Sequence, residues 1–162
     1  TGPLRPMNGP PADVPPIWIA LLVVSASVLG VVLALPSAPP PDATRVAETV
    51  DSVAATEHAA TATAPLSADA IHVDRHGVGL RNEGGEAHAA FAFGPVTPVR
   101  AEGDLAAVLA GAPPESVFAT PAAYRDAIVR ARTAESTWRS ADDRLRVRRV
   151  QYGGVEGVLV GQ

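Results

Sequence analysis

A long uncharged apolar stretch near the N-terminus constrains this chain more than any other feature. It runs from Ile17 to Leu35, and prolines lie on both sides of it, at Pro15, Pro16 and Pro36. A helix over 17–35 is roughly 28 Å long at ~1.5 Å per residue, close to the ~30 Å hydrocarbon core of a bilayer. We therefore predict a transmembrane helix over 17–35. Its anchor residues include Ile17, Trp18, Leu22, Val24, Leu29, Val32 and Leu35.

Two other interpretations fit this stretch less well. A buried core helix needs a domain large enough to surround an apolar segment on every side, and the chain has only 162 residues. A cleavable signal peptide needs small residues at its cleavage site, but Pro36 and Pro39 stand at the −3 and +1 positions of the site after Ala38. We predict an anchor with the N-terminus inside, the usual arrangement when a translocated domain follows a single N-terminal span.

Composition divides the rest of the chain. Residues 1–16 form a Pro-rich N-terminal tail, 36–41 a Pro-rich stalk of polyproline II type, and 42–162 an extracytoplasmic α+β domain. The formal net charge is −4, so nucleic acid is not expected as a partner. No cysteine occurs, which excludes disulfides and thiolate metal sites.

Helical spacing predicts three helices in this domain. The first is a stalk helix over 43–55, with Asp42 as its N-cap and an Ala/Val face suited to packing on a sheet. The second covers 104–110, and the third begins after Thr120 with Pro121 in its first turn. We expect the last two helices to pack on the sheet.

Alternation of apolar and polar residues predicts the strands. Segments 71–74, 77–81 and 86–93 read as a β-meander, in which Phe91 and Phe93 share one face and supply most of the bulk of the core.

Further strands follow near the C-terminus, at 144–148, 149–152 and 155–160. The adjacent Arg148 and Arg149 break the alternation, which predicts a bulge. The sequence as a whole predicts an α+β fold with one mainly antiparallel sheet of roughly five to seven short strands.

Motifs that carry chemistry are lacking. The sequence contains no G-x-S-x-G, P-loop, dinucleotide-binding or zincin pattern, so we predict neither an enzyme nor a cofactor. His72, Asp74, His76 and His88 could ligate a divalent metal from one sheet face. We predict no metal site, because the turn at 75–77 carries His76 away from the plane of the strand.

Charges of opposite sign are separated along the domain. Arg144, Arg146 and Arg148 alternate on one strand face, whereas Glu48 and Asp51 lie on the stalk helix. An acidic surface near the membrane and a basic surface far from it favour head-to-tail contacts between like subunits. The alternative is a solvated face on which the arginines pair across strands with acids such as Glu156.

Three segments of the chain resemble an uncharacterised family of single-span haloarchaeal membrane proteins. They are Pro39–Ala54, Leu80–Val99 and Asp143–Val155, and the resemblance covers nearly everything from Pro16 onward. It implies a pilin-like protein associated with type IV pilus or Tad-like machinery, without catalytic residues.

The resemblance implies three kinds of partner: the lipid bilayer, like subunits, and other pilin-like or envelope proteins. Because Pro-rich residues rather than a processing site precede Ile17, a minor or accessory subunit is the expected role. The alternative function is a solitary anchored binding module that recognises another envelope protein.

Overall fold

The computed structural model describes residues 15–33 and 38–162. The chain divides into two units, Thr1–Pro36 and Ser37–Gln162. The predictions for 1–14 and 34–37, which include Leu35 of the predicted anchor and the start of the predicted stalk, lie outside the described residues, as does the side chain of Val32.

The first unit contains helix α1, Pro15–Leu33. It begins two prolines before the predicted start, because proline is tolerated in the first turn of a helix. Its large apolar side chains are highly exposed, from 53% at Leu21 to 76% at Leu33. Within the described residues, no helix combines the length and the hydropathy of a membrane-crossing segment.

The second unit contains four helices and eight strands. The helices are α2 (Ala43–Ala54), α3 (Asp104–Ala110), α4 (Pro114–Val117) and α5 (Pro121–Thr133). The strands are β1 (Ala60–Pro65), β2 (Ala70–Val73), β3 (Gly77–Asn82), β4 (Gly85–Ala90), β5 (Thr97–Pro98), β6 (Arg139–Ser140), β7 (Arg144–Tyr152) and β8 (Val155–Gly161).

These strands form two four-stranded sheets, where the sequence predicted one. The first sheet has the order β1-β7-β8-β5 and the second β4-β3-β2-β6. Every strand pair in the described residues is antiparallel except β5 with β8. The α+β class and the mainly antiparallel pairing are therefore confirmed, and so is the meander of β2, β3 and β4.

Helix α2 begins at its predicted N-cap and is packed inside the domain. The Asp42 carboxylate accepts a hydrogen bond of 2.9 Å from the amide of Arg45, which satisfies one orphan N–H of the first turn. One face is buried against both sheets: Ala43, Val46, Ala47, Val50, Val53 and Ala54. Since this apolar face is occupied within the domain, only its polar side is open to solvent.

The stalk residues nearest to the domain also lie against it. The Asn82 amide donates a hydrogen bond of 3.0 Å to the carbonyl of Pro39, and Pro41 is buried. A Cβ on Gly84 would overlap the backbone of Ala38 and Pro39, so glycine permits this close approach. The chain thus enters the domain at a fixed point on the turn between β3 and β4.

The first sheet separates two apolar cores, which explains an unusual pattern in β7. Leu145 and Val147 face the core shared with α2 and the second sheet. Val150 and Tyr152 point to the other side, into the core shared with α3, α4 and α5. The pairing of β7 with both neighbours is regular throughout, so the predicted bulge at Arg148 and Arg149 is wrong. The alternation breaks because the covered face of β7 changes along the strand. The face with Leu145 and Val147 is covered in the first part, and the face with Val150 and Tyr152 in the last part.

The predicted role of the phenylalanines is also wrong. Strand β4 ends at Ala90, after which the Asp51 carboxylate accepts hydrogen bonds of 3.0 Å from the amides of Ala92 and Phe93. Phe91 is half-buried at the edge of the core and Phe93 is 53% exposed. The bulk of the two cores comes from other fully buried side chains: Tyr124, Ile71, Leu80, Leu145 and Leu159.

Both later helices are confirmed. Helix α3 ends before Gly111, whose φ of 128° favours glycine. Helix α5 starts with Pro121, and the Thr120 hydroxyl accepts a hydrogen bond of 3.1 Å from the amide of Ala123. Tyr124 and Ile128 pack against β8, so α5 covers the first sheet as predicted.

Helix α5 lies so close to β8 that a side chain at position 157 would displace its neighbours. A Cβ there would stand 2.8 Å from the Tyr124 hydroxyl oxygen and 2.8 Å from Cδ1 of Ile128. We expect Gly157→Ala to lower the free energy of unfolding by about 1–3 kcal/mol, because buried side chains must shift to make room. Denaturant unfolding of the full chain, followed by circular dichroism, measures this loss.

A double-mutant cycle with Tyr124→Phe identifies the clash. The buried Tyr124 hydroxyl has no hydrogen-bond partner among the described residues, and burial raises its pKa. Removing it should therefore cost little and should recover at least about 0.5 kcal/mol of the Gly157→Ala loss. Purely additive losses would show that the hydroxyl does not limit this approach.

Candidate functional site

The exposed arginines of β7 lie on an open part of the first sheet. Arg144 and Arg146 are exposed on the face opposite Leu145 and Val147. Their partners in register on β1 are Pro65 and Thr63, also exposed. We call this surface, Thr61, Thr63, Pro65, Arg144 and Arg146, the arginine face. No ion pair joins Arg144 or Arg146 to an acid in the described part of the chain.

Arg148 shares the strand face with these arginines, but its guanidinium is engaged inside the domain. Its Nη1 donates hydrogen bonds to the carbonyl of Val108 and, at 2.9 Å, to that of Ala112. These carbonyls lie at the C-terminal end of α3, where a cation satisfies orphan acceptors and complements the helix dipole. Arg148 therefore positions α3 on the sheet.

Arg149 lies on the opposite side of β7 and pairs with the acid that the alternative interpretation named. Its Nη2 is 2.8 Å from a carboxylate oxygen of Glu156, and its Nη1 donates a 2.7 Å hydrogen bond to the carbonyl of Ala54. The pair connects the end of α2 to β8. Glu156 is thus a partner of Arg149 and not of the arginine face.

The predicted acidic residues are divided in the same way. Glu48 is exposed on α2, whereas the Asp51 carboxylate accepts the two amides that follow β4. Since α2 packs on the face of the first sheet that carries Leu145, Glu48 and the arginine face lie on opposite sides of that sheet. Of the five residues predicted for subunit contact, the structure leaves Glu48, Arg144 and Arg146 open to a partner.

The histidines of the second sheet surround an aromatic ring. His72, Gly79 and His88 are neighbours in register on β2, β3 and β4. The Trp138 ring lies over Gly79, with its centroid 5.6 Å from that of His72 and 6.0 Å from that of His88. Arg81 stacks on the same indole at 4.7 Å. This cluster contains a cation–π contact that sequence analysis missed, although Gly79 inside a strand is a signal of close packing.

His76, the third histidine considered for this sheet face, lines one shallow cavity of about 280 Å³ together with His72, Asp74 and His88. The amide of His76 donates a 2.6 Å hydrogen bond to the Asp74 carboxylate, which forms the turn between β2 and β3. The Nε2 atom of His88 is 2.6 Å from Oε1 of Glu86, on the same strand. In the part of the chain that the structure describes, no group of three or more His, Asp or Glu side chains is placed to hold a metal ion.

Sequence analysis also missed a cleft of about 660 Å³ at the other end of the domain. It lies between the edge strands β5 and β6 and is bordered by α3 and α5. Its arginines, Arg100, Arg130 and Arg139, are separated by many residues along the chain. Their positions in the sequence form no pattern from which a common site could be predicted.

The unit Ser37–Gln162 therefore belongs to the class of small α+β domains, with two mainly antiparallel sheets, three helices on one side of the first sheet and an exposed cationic face. A family model described as "Family of unknown function (DUF7283)" matches residues 9–150, and the chain belongs to that family. The matched range begins before α1 and ends in β7, so it includes both units. No curated protein and no solved structure matches the chain.

Proposed function

We propose that this protein is a membrane-anchored, pilin-like subunit, minor or accessory in kind, of a surface filament or its assembly apparatus. In this proposal α1 is the anchor, the outer unit is extracytoplasmic, and like subunits or other envelope proteins are the partners. The observation that carries the proposal is α1 itself, an uncharged helix with exposed apolar side chains.

The character of α1 favours a lipid environment. A helix that is apolar on all sides is either buried in protein or spans a membrane. The side chains of α1 are not buried, since Leu22 and Val24 are 68% and 60% exposed. The apolar part of the described helix, Ile17–Leu33, is roughly 26 Å long at ~1.5 Å per residue. Ala34 and Leu35 continue the apolar sequence toward the ~30 Å that a span requires.

The charged surfaces of the outer unit suit head-to-tail contacts. Glu48 and the arginine face lie on opposite sides of one sheet, so the acidic side of one subunit can meet the basic side of the next. Such heterologous contacts build open filaments when the rotation between subunits does not close. Exposed ion pairs contribute only ~0.2–1 kcal/mol each, so contacts between anchors supply most of the affinity and the charges set the register.

Cysteine cross-linking tests this arrangement, because the natural chain has no cysteine. Thr44 is exposed on α2 near Glu48, and Thr63 is exposed on the arginine face. Oxidation of membranes that contain the Thr44→Cys/Thr63→Cys variant should give a ladder of species larger than dimers. Each single variant should give no ladder, because heterologous packing joins two different surfaces.

Removing charges from the double-cysteine variant shows whether the arginine face aligns neighbouring subunits or whether the cross-links come from random collisions. Arg144→Gln with Arg146→Gln should reduce the ladder several-fold while leaving the domain folded. The matched control is Arg75→Gln with Arg125→Gln, which removes the same charge from exposed positions elsewhere and should leave the ladder unchanged. A ladder insensitive to the arginine face, or a chain that remains monomeric, contradicts the subunit model. The second result favours the solitary binding module.

A further inference from the structure

The cleft between the two sheet edges has the composition of a site for a small charged molecule. Its apolar wall includes Val99, Leu105 and Ala127. Its volume of about 660 Å³ lies within the ~300–1,000 Å³ that is usual for small-molecule sites. Three arginines and three acids also line it: Arg100, Arg130, Arg139, Glu102, Asp104 and Glu135.

Among the described residues that line this cleft, Arg139 has a buried side-chain nitrogen without a hydrogen-bond partner. One guanidinium nitrogen, Nη1, donates a long hydrogen bond of 3.4 Å to the carbonyl of Val99. The other, Nη2, is buried and has no hydrogen-bond partner in the described residues. A buried cationic donor without an acceptor is costly, and an anion in the cleft would remove that cost.

The charges around Arg139 also favour an incoming anion. Burial lowers the pKa of Arg139, and the neighbouring Arg100 lowers it further, against the opposing effect of Asp142. Within the described residues, no ion pair joins an arginine of the cleft to one of its acids. Neither the Arg100 nor the Arg139 guanidinium is therefore held by a carboxylate of the cleft, and both can turn to a ligand.

We propose that this cleft binds a small molecule with a carboxylate or phosphate group. The guanidinium groups of Arg139 and Arg100 hold the oxyanion, since their donors match its geometry, and Val99 and Leu105 contact the apolar part. Glu102, Asp104 and Glu135 are exposed, so they repel a long polyanion. The ligand is accordingly a small molecule and not a nucleic acid or another anionic polymer.

Titration of the full chain with succinate and with inorganic phosphate tests this proposal and distinguishes the two oxyanions. Ionic strength is held constant with chloride, which removes general screening. We expect saturable binding of at least one probe, with a dissociation constant in about the millimolar range or below. The backbone amide signals of Ala101 and Leu105, which line the cleft, should shift in nuclear magnetic resonance spectra.

Two variants and one control assign the binding to the cleft. Arg139→Gln and Arg100→Gln should each weaken it at least tenfold, and Arg125→Gln, an exposed arginine outside the cleft, should not change it. Because Arg139 is half-buried and its loss could affect folding, the exposed Arg100 provides the independent test. Absence of saturable binding for both probes, or binding that survives Arg100→Gln unchanged, overturns the proposal.

Discussion

Replacement of Leu145 by alanine is expected to lower the free energy of unfolding of the unit Ser37–Gln162 by about 2–5 kcal/mol. The Leu145 side chain is 0% exposed and lies in the core that the first sheet shares with α2 and the second sheet. Its strand, β7, is paired on both sides, so the surrounding backbone cannot easily collapse into the cavity. Domains of this size are stable by only about 5–15 kcal/mol, so the loss is a large fraction of the total.

Denaturant unfolding of the full chain, followed by circular dichroism, measures this effect. The matched control is Arg144→Ala, the adjacent residue on the exposed face of the same strand, which should change stability by no more than about 0.5 kcal/mol. Equal effects of the two substitutions would contradict a β7 whose Leu145 face is covered and whose Arg144 face is open.

Two charges in the middle of α1 are expected to abolish membrane retention. Leu22 and Leu29 are one heptad apart on α1 and are 68% and 58% exposed. Each arginine near the centre of a spanning helix costs about 2.5–3.5 kcal/mol of insertion free energy, so Leu22→Arg with Leu29→Arg should shift the chain from the membrane to the soluble fraction. Leu22→Ala with Leu29→Ala is the control and should keep it in the membrane. Retention of the arginine variant would contradict a spanning role for α1.

Local patterns in the sequence predicted the elements whose determinants are close together in the chain. The Asp42 cap and the Ala/Val spacing after it predicted α2, and Thr120 with Pro121 predicted the start of α5. The turn residues between β2, β3 and β4 predicted the meander. Each of these features depends on neighbours within one or two turns.

Features that depend on distant contacts were not predictable in this way. Strand β1 consists of Ala, Thr and Pro, with no bulky apolar residue to produce a strong alternation, and its pairing with β7 supplies the order. The division into two sheets likewise depends on which strands pair, and the alternation of apolar and polar residues does not reveal strand pairing. The exposure of Phe93 is likewise not local, because its backbone amide donates a hydrogen bond to Asp51, which lies on α2.

The same distinction applies to the candidate site. Alternation predicted that Arg144 and Arg146 share a face, and both are exposed on it. It gave no means of separating them from Arg148, because the carbonyls that hold Arg148 belong to Val108 and Ala112, which are 40 and 36 residues earlier in the chain. The cleft arginines come from the loop after β5, from α5 and from β6, and their proximity is a property of the tertiary structure alone.

Topology in the membrane is the most direct test of the central proposal. Membranes that contain the Thr63→Cys variant are extracted with alkaline carbonate, and intact cells are treated with a membrane-impermeant maleimide. The account predicts that the chain stays in the membrane pellet and that Thr63→Cys is labelled in intact cells, whereas a cysteine at Asn8 is labelled only after permeabilisation. Release of the chain by carbonate, or labelling of the two positions in the reverse order, would contradict an anchored protein with its domain outside.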